Sequence, residues 1–454
     1  MRRWFVPLTL IHLFTFLLVG CGGGSDATAT TAKPTTGAAA TTAPNTGAAA
    51  TTSAPSAAAA GATRPAGSSA AGTTAPAVAT SAPAATTSGA GNTTASGGTI
   101  KIGMITSLTG PYNPLGTFNK QAAELLVKQV NDASGINGAK IELSIEDDQS
   151  NPSNGPTAVK KMIANKVVAI IGPVFSSTCV AILDDVEAAK IPMITQCATD
   201  SQVNPIRPNV FMAPPTTTVV ANQLLAYLKS EGKTKVTVLH DSTEFGSTGW
   251  NVVKADASKY GITPDEQLYE LTGTTFVPQL TKIKNSDTQA VISWGSGAPA
   301  VTIAKEYKQL GLAQPLLFSH AQATPLFLKP AGDAANGVII GTSLGPVGKF
   351  LPDSNASKPA ITKFDADFQA AYNTAPAEFA YNTYGAFNMI VNAVKKVGPD
   401  SAKIRAELEQ TTFVSVDGTY KYSATNHAGL GPESVLVAMV TNGALEPTKF
   451  SAAK

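Results

Sequence analysis

From residue 99 onward the chain alternates short apolar runs with longer stretches that are apolar on one side only. TIKIGMIT at Thr99–Thr106 and the β-branched run Val167–Ile171 read as buried strands, and KIELSIE at Lys140–Glu146 alternates as a half-buried strand does. Between them, Thr117 to Asp132 places Phe118, Ala122, Leu125, Leu126 and Val130 on one stripe, which predicts a helix. Val159, Met162 and Ile163 mark the next helix. After Gly172-Pro173, Ser176-Ser177-Thr178 supply capping hydroxyls ahead of a helix that buries Val180, Leu183 and Val186. The strand Ile191–Thr195 follows and breaks into Gln196-Cys197-Ala198-Thr199. Two strand ends therefore deliver small hydroxyl side chains and unpaired backbone N–H groups, a setting that suits an anionic group.

The alternation then restarts. Helices are predicted at Val219–Ser230, Ser247–Tyr260, Thr275–Lys284 and Pro299–Gly311, with strands at Lys235–His240, Asp265–Leu271, Ala290–Trp294, Pro315–Phe318 and Val338–Thr342. Three further helices follow, Pro359–Tyr372, Tyr381–Val397 and Asp400–Gln410. Strands at Gly418–Tyr422 and Ser434–Val440 come last, the latter expected as an antiparallel edge. Strand and helix alternating at crossover length define an α/β protein whose parallel sheets carry helices on their faces, here as two units in tandem.

The first hundred residues differ in kind. Arg2 and Arg3 precede an apolar stretch from Trp4 to Val19, which fits an export signal over residues 1–20. It ends Leu18-Val19-Gly20-Cys21, which resembles the lipobox of bacterial lipoproteins and makes Cys21 the expected lipidation site. Residues 22–98 are almost entirely Ala, Thr, Ser, Gly and Pro, too poor in large apolar side chains to offset ordering entropy. Together with Cys21, residues 21–98 read as a disordered tether. Formal net charge is +2 with 14% charged residues, which gives no electrostatic case for nucleic acid. Of three cysteines, Cys179 and Cys197 remain after Cys21; they form either a disulfide or two buried thiols. No spacing of Cys and His suits a metal, and no glycine-rich phosphate loop is present, so no cofactor is expected.

IKIGMITSLTGP at Ile100–Pro111, GINGAKIELSIEDDQSNP at Gly135–Pro152, IGPVFSS at Ile171–Ser177, IPMITQCAT at Ile191–Thr199 and LHDSTEFGSTG at Leu239–Gly249 together resemble the periplasmic-binding-protein type I family. Within it they are most similar to the branched-chain amino acid (Leu/Ile/Val) substrate-binding proteins of ABC transporters. The resemblance implies two Rossmann-like lobes joined by a three-strand hinge, with lobe one at 99–218 and 345–415 and lobe two at 219–344 and 416–450. It implies a monomer that captures a small solute, delivers it to an ABC permease and ATPase, and touches the membrane only through its lipid on the outer face of the cell, at the cell surface or in the periplasm. A ligand-sensing receptor component of the same fold is the alternative.

Carried over residue by residue, the resemblance puts Ser176, Ser177, the Cys197 backbone and Thr199 at the ligand's polar end and Phe245 as its cover. Phe379 and Tyr381 match aromatic wall positions. Amino-acid binders of the family place a carboxylate on lobe two to meet the ligand's ammonium, but Leu317 to Gln322 here contains no Asp or Glu. Trp294 and His320 stand in that region and join the candidate site. A buried ammonium without a counter-charge is costly, so the residues favour a carboxylate without an amine, aromatic or aliphatic.

An enzyme is the rival class. Gly341-Thr342-Ser343-Leu344-Gly345 matches G-x-S-x-G, but a nucleophile elbow must feed a helix and Pro346, Gly348 and Pro352 follow instead. His240-Asp241 reads as a strand-end pair, and Asp147-Asp148 as a turn capping the next helix.

Overall fold

The structure is a computed structural model and describes residues 98–452. The expected export signal, Cys21 and the tether lie outside the described residues.

β1 (Thr99–Thr106), β2 (Lys140–Asp147), β3 (Ala169–Ile171), β4 (Met193–Thr195) and β5 (Val210–Met212) form a five-stranded sheet in the order β2-β1-β3-β4-β5, parallel throughout. The three strands β3, β4 and β5 are buried at every position, which is why β3 and β4 read as continuous apolar runs rather than alternating ones. β6 (Lys235–Asp241), β7 (Thr263–Tyr269), β8 (Ala290–Trp294), β9 (Leu316–Phe318) and β10 (Ile339–Thr342) repeat the arrangement as β7-β6-β8-β9-β10, again parallel. β11 (Thr412–Val414) and β12 (Thr419–Lys421) pair only with each other. β13 (Leu436–Thr441) and β14 (Ala444–Pro447) add two antiparallel strands beyond β10.

Local chemistry sets the helix starts. Thr216 accepts a hydrogen bond from the Val219 N–H and opens the helix Thr217–Ser230 directly after β5. Thr243 does the same for Glu244–Asp256 through the Gly246 N–H, so this helix begins before the predicted Ser247. The helix expected from Tyr381 starts at Glu378. β5, β14 and the helix Pro325–Ala331 were not legible as elements; β5 is three residues long.

The segment 419–430 departs from the expected lobe division. Tyr420 Oη donates to the Ala213 carbonyl at 2.7 Å and Tyr422 Oη to that of Met212 at 2.8 Å, while the Met212 N–H donates to His427 O at 2.9 Å. This segment therefore lies along the first sheet, although the sequence assigned 416–450 to the second. The large rings of Tyr420 and Tyr422 join Phe211, Phe387 and Leu430 in the first lobe's core, and that burial outweighs continuity with β13.

The chain passes between the lobes after β5, after β10 and before β13. A buried carboxyl pair sits at these crossings. Ser343, next after β10, lies 3.0 Å from Glu378 Oε2 and 3.1 Å from Asp417 Oδ1. A serine hydroxyl has one hydrogen, so it donates to one carboxylate only, and the other carboxyl approaches as a donor carrying its own proton. Burial, reinforced by the neighbouring Asp417 charge, pushes the Glu378 carboxyl well above the ordinary carboxylate range, and burial does the same for Asp417. Asn382, Tyr381, Tyr420 and Tyr422 face the pair from the surrounding elements.

Carboxyl groups with a raised folded-state pKa bind more protons in the folded chain than in the unfolded one. Stability is then greatest at acid pH and falls as the pH rises from about 4 through neutrality. Thermal melts at pH 5 and pH 8 should show a lower midpoint at pH 8, and Glu378→Gln should make that difference smaller. An identical pH dependence in the variant would show that Glu378 is not the titrating group.

Candidate functional site

In both sheets the strand order reverses next to the first strand of the unit, between β1 and β3 and between β6 and β8. Crevices at the carboxyl ends of parallel strands open at such switch points. The loops leaving these two points meet. Tyr112 follows β1, Val174 and Ser176 follow β3, and Gln196 and Ala198 follow β4; from the second lobe, Ser296 follows β8, His320 and Ala321 follow β9, and Phe245 lies on the helix after β6. With Leu115 and Phe379 they enclose a cavity of about 20 Å³. That is room for about one water molecule, so entry of a solute requires the lobes to part.

Contacts across the cleft hold this closed form. Ser296 Oγ donates to Tyr112 Oη at 2.7 Å. Thr199 Oγ1 lies 3.0 Å from Glu244 Oε1 and 3.0 Å from Thr248 Oγ1, both on the second lobe's helix Glu244–Asp256. Thr199 is thus placed as a latch between lobes rather than on the cavity wall. Its hydroxyl is engaged by Glu244 because the loop after β4 and the first turn of that helix touch directly.

The remaining predicted site residues separate clearly. Ser176, Phe245, His320 and Phe379 share the cavity wall. Phe245 packs edge-on to His320 with centroids 5.8 Å apart. Burial drives the His320 imidazole down to about 4, so it is neutral at physiological pH. Ser177 is half-buried on the helix Ser176–Ala181 and does not line the cavity. Cys197 turns its side chain into a disulfide with Cys179, Cα atoms 6.6 Å apart, and its carbonyl accepts from Gln202 Nε2 at 2.7 Å. The wall at that point is made by its neighbours Gln196 and Ala198. Trp294 is fully buried behind Phe245, against Gly249, and belongs to the core. Tyr381 points away, donating to Asp365 Oδ1 at 2.6 Å and lining a separate cavity of about 570 Å³. Neither ring lies on the wall of the cleft cavity: neither a strand-end position, for Trp294, nor a resemblance in sequence, for Tyr381, reveals which way a large ring turns.

Tyr112, Gln196 and Ser296 were missed. Tyr112 follows a Gly-Pro turn and Ser296 a strand end, positions whose proximity only the paired sheets create. Asp147 and Asp148 do not cap a helix. Asp147 accepts from the Leu108 and Thr109 N–H groups, and Asp148 accepts from Ser107 Oγ at 2.6 Å, so together they staple the loop after β1. Asp241 Oδ1 accepts from the Thr243 N–H while burial raises its carboxyl above the ordinary range. His240 Nε2 pairs with Glu266 at 3.0 Å. Ser343 is buried at the hinge and forms no nucleophile elbow. Among the described residues, no cluster of His, Cys, Asp and Glu could hold a metal ion.

Two lobes of parallel sheet with a cleft at their joined switch points define a two-lobe binding protein. The family description "Periplasmic binding protein" matches residues 99–444, and the chain belongs to that family, as a type I member. It is 27% identical over 333 residues to a Leu/Ile/Val-binding protein homolog of Brucella melitensis, covering 72% of this chain and 88% of that one. A type 1 periplasmic binding protein of Bordetella pertussis superposes with TM-score 0.70 at 28% identity, covering 77% of this chain and 100% of the other. An ABC transporter solute-binding protein of R. palustris, solved with benzoate, superposes with TM-score 0.68 at 22% identity over 77% of this chain and 95% of its own. The role is that of a solute-binding protein, not an enzyme.

The disulfide joins the helix Ser176–Ala181, which follows β3, to the loop after β4, with a sequence separation of 18 between its cysteines. Replacing both cysteines by alanine should lower the unfolding free energy by about 3 kcal/mol. Urea denaturation of the oxidised wild type and the double variant measures it, and coincident transitions would contradict it.

Proposed function

We propose that the chain is the lipid-anchored solute-binding component of an ABC importer, and that its solute is a small carboxylate with an apolar body and no ammonium group. The lobes part to admit the solute and close over it, and the closed form docks on the permease. The observation that carries the ligand reading is the composition of the cavity wall. It offers the Ser176 hydroxyl, a neutral imidazole and the rings of Tyr112, Phe245 and Phe379, but no Asp or Glu. The acids nearby are not on that wall: Glu244 accepts from Thr199, and Asp241 accepts from Thr243 through Oδ1 while its buried Oδ2 has no hydrogen-bond partner. A carboxylate can be met there by hydroxyl and N–H donors, whereas an ammonium would be buried without a counter-charge. Benzoate in the R. palustris neighbour is a ligand of this chemistry. The name of the Brucella relative points instead to branched-chain amino acids.

Calorimetric titration decides between them. Benzoate, 3-phenylpropanoate or 4-methylpentanoate should bind at least as tightly as phenylalanine and leucine. Ser176→Ala should weaken the acid by roughly 1.5–3 kcal/mol, the loss of a hydrogen bond to a charged group. Tight leucine binding with silent acids would refute the charge argument.

The anchor reading rests on Arg2, Arg3 and the sequence Leu18 to Cys21. Cys21→Ser should move the protein from the membrane to the soluble fraction with unchanged solute affinity. Retention in the membrane pellet would contradict the lipid assignment.

A further inference from the structure

Gln196 follows β4 on the cavity wall and is 2% exposed. The hydrogen bonds around it fix which way its amide faces. Thr383 Oγ1 donates its single hydrogen to the Phe379 carbonyl at 3.0 Å, a partner that can only accept. Toward its other neighbours Thr383 must therefore accept. It does so from Asn119 Nδ2 at 3.0 Å and from Gln196 Nε2. Asn119 Nδ2 also donates to the Phe379 carbonyl at 3.1 Å, so the donors of this buried group are committed, while Asn119 Oδ1, which does not line the cavity, has no partner. Gln196 cannot turn its amide over without setting an oxygen against the Thr383 lone pairs. Its Oε1 is left buried with no hydrogen-bond partner. Gly172 flanks that oxygen, but its N–H is donated to the Ile194 carbonyl. A buried amide oxygen without a donor is unfavourable, and a bound molecule that supplies one removes the penalty.

We propose that Gln196 is a specificity-determining residue that accepts a hydrogen bond from the bound solute, so that the solute is a small acid bearing a neutral hydroxyl or amide N–H donor in addition to its carboxylate. This rests on the carboxylate reading above. The donor is neutral because the wall that presents Gln196 contains no carboxylate to balance an ammonium. His320, whose Nδ1 is likewise buried and unpartnered, leaves the second lobe's side of the cavity able to meet a further polar group of the same molecule.

The test uses benzoate with its three monohydroxy derivatives, and 4-methylpentanoate with its 2-hydroxy derivative, titrated into wild type, Gln196→Met and Thr383→Val. In the wild type at least one hydroxylated acid should bind about ten-fold or more tightly than its parent, because a site built to hydrogen-bond a hydroxyl rejects the analogue lacking it. In Gln196→Met, which keeps the length and removes the acceptor, that ratio should fall to near one. In Thr383→Val, which frees the amide, it should shrink. A merely structural role for Gln196 would weaken parent and hydroxylated acid alike and leave their ratio unchanged. Parents and hydroxylated acids binding equally to the wild type overturns this inference while leaving the carboxylate reading intact. Binding by none of the acids overturns both.

Discussion

The parallel strand order, repeated in two sheets, governs this molecule. Parallel strands joined by right-handed crossovers return every loop to the same edge of the sheet, and the order β2-β1-β3-β4-β5 opens a crevice where the winding reverses. Because the second sheet repeats that order as β7-β6-β8-β9-β10, it has a matching crevice. Joining the two sheets so that these edges face each other places side chains from loops far apart in sequence, such as Tyr112 and Ser296, within 2.7 Å. The site is a product of topology first and of side-chain choice second.

The same arrangement places buried polarity at the centre of the crossings. Ser343, Glu378 and Asp417 come from separate stretches of chain and are all wholly buried. An apolar cluster there would pack without regard to angle. A hydroxyl between two carboxyl groups has a defined geometry and tolerates few others, which gives the hinge a preferred setting. The tyrosines of 419–430 belong to this logic, since Tyr420 contacts both the Ala213 carbonyl and Asp417 Oδ2.

Much of the fold was legible because periodicity reports burial. TIKIGMIT and the run before Gly172 can only be inner strands, and the restart near residue 219 marks a second unit. Short elements such as β5 lack enough residues to show a period. For the site, strand-end position and the family resemblance pointed to Ser176, Phe245, His320 and Phe379, which share the cavity wall, but neither could orient Tyr381 or Trp294. Thr199 sat in a motif that suggested ligand contact, yet its role depends on Glu244, 45 residues away, and no local pattern encodes that distance. Gln196 was passed over because an amide in a loop carries no signal of its own. Its meaning comes from Thr383 and Asn119, which the fold brings to it.

The covalent tie between Cys179 and Cys197 has a consequence for the wall beside it. It closes a ring over residues 179–197, and Gln196 and Ala198, two of the wall residues, flank Cys197 at its end. In a reducing compartment thiols stay open, and in an oxidising one they pair. Whether this bond is closed is therefore set by the chain's surroundings: reducing conditions leave the two thiols open beside the wall, and oxidising ones tie the strand-end segments that carry it.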